Sequence, residues 1–185
     1  MPLPEPLPVE EPATARDYWN LPDGVRAELY NGKLHSMAPP SRTHQRLVHQ
    51  IATEMELYIR SNGGSCQVYP APFAVNLTGD DRTWFEPDIS VVCDPSKLSE
   101  RGCEGAPDLV VEVVSPSSTR TDYLTKAFAY DNAGVREYWI VDPGEARTVV
   151  YRYKTSAVTL RTFAFSESVS VGIFDRLSIT IADLL

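Results

Sequence analysis

Apolar residues recur at spacings of three and four between positions 44 and 60. Leu47, Val48, Ile51, Met55, Tyr58 and Ile59 mark one face of that stretch. The period predicts an amphipathic helix, capped by Ser41 or Thr43 and ended at Asn62-Gly63-Gly64. Residues 27–30 and 33–37 flank Asn31-Gly32, the pair preferred in a two-residue hairpin turn. Residues 88–93 and 108–114 are near-continuous aliphatic runs, the pattern of strands buried on both faces. A helix over 120–132 stops at Gly134, and 135–142 is a third buried strand. Residues 149–153 and 158–163 form a hairpin after it. Shorter strands are expected at 66–69, 73–77, 169–173 and 177–181, and a short helix starts near 17. The order predicts an α/β protein: a mixed β-sheet flanked by helices, with N-terminal and C-terminal hairpins.

Residues 1–12 break this pattern. Prolines at 2, 4, 6, 8 and 12, with Glu5, Glu10 and Glu11 between them, predict an extended arm. Residues 13–185 then form a single domain, a length that needs no disulfide or metal staple.

Charge and cysteine content narrow the function classes. Net charge is −8 at pH 7, with a pI near 4.9. This argues against non-specific, charge-driven affinity for nucleic acid, though not against a local or metal-bridged site. No run of about 18 apolar residues occurs, so no membrane span is expected. The N-terminal residues lack the basic-then-apolar layout of a secretory signal. Cys66, Cys93 and Cys103 form no metal-type pair, and are expected to be separate reduced thiols in a cytoplasmic protein.

Glu112 is the anomaly in the pattern, a carboxylate inside Leu109-Val110-Val111-Glu112-Val113-Val114. Burial disfavours its charged form, so it needs a cationic partner, a bound cation, or a place at a strand end facing a cleft. Asp88 opens the neighbouring aliphatic run. Two acids on adjacent strands can converge, and two carboxylates plus a backbone carbonyl, at Val113, suit Mg²⁺. Farther on, Asp122, Lys126 and Tyr130 share a helix face. Asp122–Lys126 reads either as a solvent-facing ion pair or as a lysine reaching back over the end of the Glu112 strand.

These residues carry a resemblance. Pro87-Asp88, the string from Pro107 to Ser117, and Lys126…Tyr130…Gly134-Val135-Arg136-Glu137-Tyr138-Trp139-Ile140-Val141-Asp142-Pro143 resemble the "putative restriction endonuclease" family of the PD-(D/E)XK nuclease superfamily. Ala27 to Leu34 and His44 resemble its N-terminal half, and the likeness spans roughly residues 17–155. It implies a restriction-endonuclease-like mixed sheet with a divalent-metal site at its rim. Asp88 matches the first acid and Glu112 the second, with Glu28 an additional acid near the metal and His44 an accessory residue. The superfamily's lysine would fall at position 114, where this chain has Val114. Lys126, from the following helix, is the replacement the family suggests.

The expected function is Mg²⁺- or Mn²⁺-dependent hydrolysis of phosphodiester bonds in nucleic acid, DNA first, by a homodimer. The catalytic set is Asp88, Glu112, Lys126 and Glu28, and the metal set is Asp88, Glu112 and the Val113 carbonyl. The alternatives are a catalytically silent nucleic-acid or protein-binding module on the same scaffold, and a structural homodimer. The proline-rich arm and the C-terminal strands are the candidate dimer contacts.

Overall fold

A computed structural model of the chain describes residues 12–116, 118, 121–154 and 157–185. The expected arm at 1–12 lies, but for Pro12, outside the described residues.

The centre is a six-stranded mixed sheet. In spatial order its strands are Ala157–Ala164, Arg147–Lys154, Glu137–Asp142, Leu109–Val113, Ile89–Val92 and Gln67–Pro70. Only Glu137–Asp142 and Leu109–Val113 run parallel, and a helical crossover joins them. Alternate residues of the Leu109–Val113 strand point to opposite faces, and both faces are covered. Leu109, Val111 and Val113 pack with Leu47, Ile51 and Met55 of the helix Arg42–Ser61. Val110 packs with Phe85, Tyr130, Tyr138 and Ile140 on the other face. This explains why the run is aliphatic at successive positions rather than at alternate ones. Burying Leu47, Ile51 and Met55 completely contributes about 2 kcal/mol each.

The predicted helix is Arg42–Ser61, with Ser41 as its cap: the Ser41 side chain accepts a bond from the His44 N–H at 3.2 Å. The predicted hairpin forms between Ala27–Tyr30 and Lys33–Ser36. Asn31 and Gly32 both take positive φ, 49° and 74°, as a type I′ turn requires. That hairpin belongs to a second six-stranded sheet with Trp84–Phe85, Val75–Asn76, Gly102–Glu104 and Leu98–Ser99.

Two expectations need correction. The crossover is not one regular helix. It opens as a π-helical turn, Thr121–Lys126, continues as the α-helix Ala127–Ala133, and ends on Gly134 at φ 88°. Cys66 and Cys93 are not separate thiols. The ladder pairs Gln67 with Val92, so Cys66 and Cys93 meet one step beyond it and form a disulfide of 2.08 Å. The argument from lone thiols to a reducing compartment goes with them. Cys103 stays free and buried. The C-terminal strands Ser168–Ser170 and Ser178–Thr180 pair with each other, and their Val169 and Ile179 are buried in the core with the long helix.

No helix among the described residues is long and apolar enough to cross a membrane.

The Gly102–Glu104 strand is tied to its neighbour through a bond from Cys103 N–H to the Ala74 carbonyl, 2.9 Å. This brings Gly102, at φ 137°, so near that an added Cβ would lie 2.0 Å from the Ala74 oxygen. Gly79 also has a left-handed φ, 71°, but nothing within 4 Å of its missing Cβ. Gly79→Ala should therefore cost about 1 kcal/mol. Gly102→Ala should cost more than about 2 kcal/mol. Denaturant midpoints of the two variants check the order.

Candidate active site

The site forms where strands run out. The ladder between Ile89–Val92 and Leu109–Val113 pairs Ile89 with Val111. One step further it sets Asp88 opposite Glu112, and opposite residues of an antiparallel pair share a face. Both line a cleft of about 1230 Å³, together with Glu28, His44, Asp122 and Lys126. The structure thus brings together all of the residues singled out in the sequence.

Asp88 ends its strand by substituting for the missing ladder. Its Oδ2 accepts the Val113 N–H at 2.8 Å and lies 3.1 Å from His44 Nε2. The helix cap at Ser41 thereby places His44 against the acid. With Nε2 donating, a neutral His44 ring leaves Nδ1 as an acceptor, and that atom is buried without a partner. A strand residue directs its carbonyl to the same edge as its N–H, so the Val113 carbonyl faces past the last ladder pair.

Glu112 is 4% exposed, and its partner is Lys126. The ammonium lies 2.8 Å from Glu112 Oε1, 2.9 Å from Glu28 Oε1 and 3.8 Å from Asp122 Oδ1. Lys126 is itself 4% exposed, so the solvent-facing reading of Asp122–Lys126 is set aside. Tyr130 donates its hydroxyl to the same Glu112 oxygen at 2.8 Å, which leaves Oε2 engaged by neither. Glu28 also accepts the Glu86 N–H at 3.0 Å. Glu86 in turn is held by Tyr18 and Arg26. Val114 packs with Val110 and Ile140 and also lines the cleft. The lysine arrives from the crossover instead.

Electrostatics is strained toward negative charge. Four carboxylates (Glu28, Asp88, Glu112 and Asp122) share one ammonium and one imidazole. Burial pushes the Glu112 carboxyl well above its usual range; Lys126 opposes this, and Asp88, Asp122 and Glu28 add to it. Burial likewise pushes Asp122 up to about 6. For Lys126 burial acts downward, but Glu112, Glu28 and Asp122 outweigh it and hold the ammonium well above its ordinary value. The lysine therefore stays charged, and the surplus negative charge is answered by protons or by a further cation.

Among the described residues, no three His, Cys, Asp and Glu side chains are arranged to hold a metal ion. The physical reason is visible in the contacts: the Lys126 ammonium fills the point that Glu28 and Glu112 share. What is left for a metal is hard oxygen from Asp88, Glu112 and the Val113 carbonyl. That set suits Mg²⁺ or Mn²⁺ with several waters retained, because Mg²⁺ is usually bound through one or two carboxylates.

The sequence placed Asp122 and Tyr130 on the Lys126 face without giving either a role in the site, and Glu86 was not singled out. Tyr130 is buried, and its hydroxyl bonds Glu112. The four-residue spacing of Asp122, Lys126 and Tyr130 was the available signal for two of them. Glu86, next to Pro87-Asp88, carried none.

The chain and its fold are similar to known proteins. The Uma2 family, described as "Putative restriction endonuclease", matches residues 15–182. The chain belongs to that family. It is 25% identical over 134 residues to the uncharacterized protein slr1290 of Synechocystis sp. strain PCC 6803, covering 72% of this chain and 69% of that one. A crystal structure of a putative nuclease belonging to DUF820, from Anabaena variabilis ATCC 29413, superposes with a TM-score of 0.75 at 23% identity. The match covers 94% of this chain and 97% of that chain, so the two share a fold.

Removing the shared cation should expose its cost. Lys126→Met leaves Glu28, Glu112 and Asp122 buried without compensation, a loss of about 3–5 kcal/mol near neutral pH. The carboxyls of Glu112 and Asp122 already bind protons more tightly folded than unfolded, and the variant raises them further. The loss is therefore full above their folded pKa values and shrinks as pH falls through them. Urea unfolding of wild type and variant across acid to neutral pH measures that convergence.

Proposed function

We propose that the chain is a metal-dependent endonuclease that hydrolyses phosphodiester bonds in DNA. The observation that carries the reading is the charge imbalance at the end of the Glu112 strand. There Asp88 and Glu112 share a face with oxygens left over from their protein contacts, beside a lysine that remains charged. A divalent ion held by Asp88, Glu112 and the Val113 carbonyl would supply polarisation of the scissile phosphate and a bound water of lowered pKa.

The protein's own residues do the rest. Lys126 presents a fixed positive charge to the phosphoryl oxygens, where a preorganised cation in a desolvated site is most effective. Glu28, Asp122 and Tyr130 keep that lysine and Glu112 in place, so no reorganisation is needed during reaction. His44 orients Asp88. An acidic body with a carboxylate-rich cleft repels polynucleotide until cations are added, so DNA affinity depends on divalent ions. A cytoplasmic homodimer, able to reach both strands of a duplex, goes with this reading.

A second reading, a silent binding module, draws on the absence of three assembled metal-ligating side chains among the described residues. Plasmid nicking with Mg²⁺ or Mn²⁺ separates the two. The endonuclease reading expects nicking that chelation abolishes, a loss of at least about 100-fold in Glu112→Gln, and Mn²⁺ heat in wild-type calorimetry that Asp88→Asn removes. Absence of nicking under any divalent ion, with or without Mn²⁺ heat, would overturn the endonuclease reading and favour the silent module.

A further inference from the structure

The cations of the cleft divide into two groups. Arg26 is ion-paired with Glu86 at 2.8 Å, and Lys126 with Glu28, Glu112 and Asp122. Lys33 and Arg147 line the same cleft and make none of the ion pairs found among the described residues. On a chain of net charge −8, two cations without carboxylate partners facing one cavity call for a partner of opposite charge.

Their placement is built. The hairpin register sets Glu28 opposite His35 and Tyr30 opposite Lys33. All four therefore share one face, and all four line the cleft. That face runs outward from the lysine cluster at Glu28 to His35 and Lys33. The turn beside Lys33 is anchored: Gly32 accepts from Ala13 N–H at 2.8 Å and donates to the Arg82 carbonyl at 3.1 Å. Arg147, which also lines the cleft, stands opposite Asp142 in the strand ladder. Its guanidinium lies 5.6 Å from the centre of the Tyr123 ring, and its Nε is buried with no hydrogen-bond partner. The neighbouring acid Asp142 is already engaged, by the Tyr123 hydroxyl at 3.1 Å and by the N–H groups of Gly144 and Glu145 at 3.1 and 3.2 Å. Glu145 and Asp142 are the carboxylates whose charge bears on Arg147, and Asp142 has its oxygens taken up by these bonds.

We propose that Lys33 and Arg147, with His35 as an added donor, form a phosphate track on both walls of the cleft, gripping the DNA backbone on either side of the reacting phosphodiester. The assignment rests on the endonuclease reading and deepens it by naming the residues that bind substrate without touching the reacting atoms. The cleft, about 1230 Å³, exceeds the roughly 300–1,000 Å³ of small-molecule pockets, as an extended polymer requires. Contacts to phosphate position a strand and carry no base sequence.

The test is fluorescence anisotropy of short DNA duplexes in Ca²⁺, followed over a salt series, for wild type, Lys33→Ala, Arg147→Gln and the double variant. Lys33 is exposed, so its variant keeps the fold. Each single change is expected to lower the slope of log affinity against log salt by about 1, and the double change by about 2. The losses should be equal on two unrelated sequences, and Mn²⁺ heats by calorimetry should be unchanged. Wild type that binds DNA alongside variants of unaltered slope overturns the track alone, and a loss confined to one sequence overturns the phosphate assignment. Wild type that binds no DNA overturns the endonuclease reading and the track together.

Discussion

One ammonium organises this protein's polar interior. Lys126 is withdrawn from water into the space among Glu28, Glu112 and Asp122, and each ion so buried costs several kcal/mol of solvation. The cost is tolerable only because each partner is positioned by a different part of the chain. Glu28 comes from the N-terminal hairpin, Glu112 from the central strand, and Asp122 from the crossover. The lysine thus joins the two sheets and the crossover electrostatically, and those carboxylates cannot be neutralised if any of the three is misplaced.

The crossover's winding belongs to the same constraint. A π-helical turn over Thr121–Lys126 is rare in regular helices and recurs at functional sites. Here it lies where Asp122 and Lys126 must both face inward. The Tyr138 hydroxyl bonds the Asp122 carbonyl at 3.0 Å, and Tyr153 bonds the Ala127 carbonyl at 2.9 Å, so strands beneath the turn hold its backbone. Tyr130, one turn beyond Lys126, closes the arrangement on Glu112. Chemistry and architecture meet in these contacts, because the groups that stabilise the buried charges also keep them oriented toward the cleft.

The chain belongs to the Uma2 family and shares its fold with a DUF820 structure. Val114 follows Glu112 by two residues on the same strand face and lines the same cleft, while the ammonium beside Glu112 comes from Lys126 on the crossover.

Much of this was legible in the order of residues. Local rules were enough for the helix with its Ser41 cap, the Asn31-Gly32 turn and the doubly buried strands, because capping, turn geometry and hydrophobic period act over a few residues. Glu112 was visible as a charge in an apolar run, and its cost alone demanded a partner. Other outcomes depended on which strands lie side by side. The Cys66–Cys93 bond follows from a ladder register between strands separated by 27 residues. Tyr130's bond to Glu112, Glu86's support of Glu28, and the burial of Val169 and Ile179 are likewise contacts across elements. The sequence by itself determined where charge would be expensive. Only the tertiary structure decided which groups would answer it, because hydrogen bonds and ion pairs are settled by distances of a few ångströms between segments far apart in the chain.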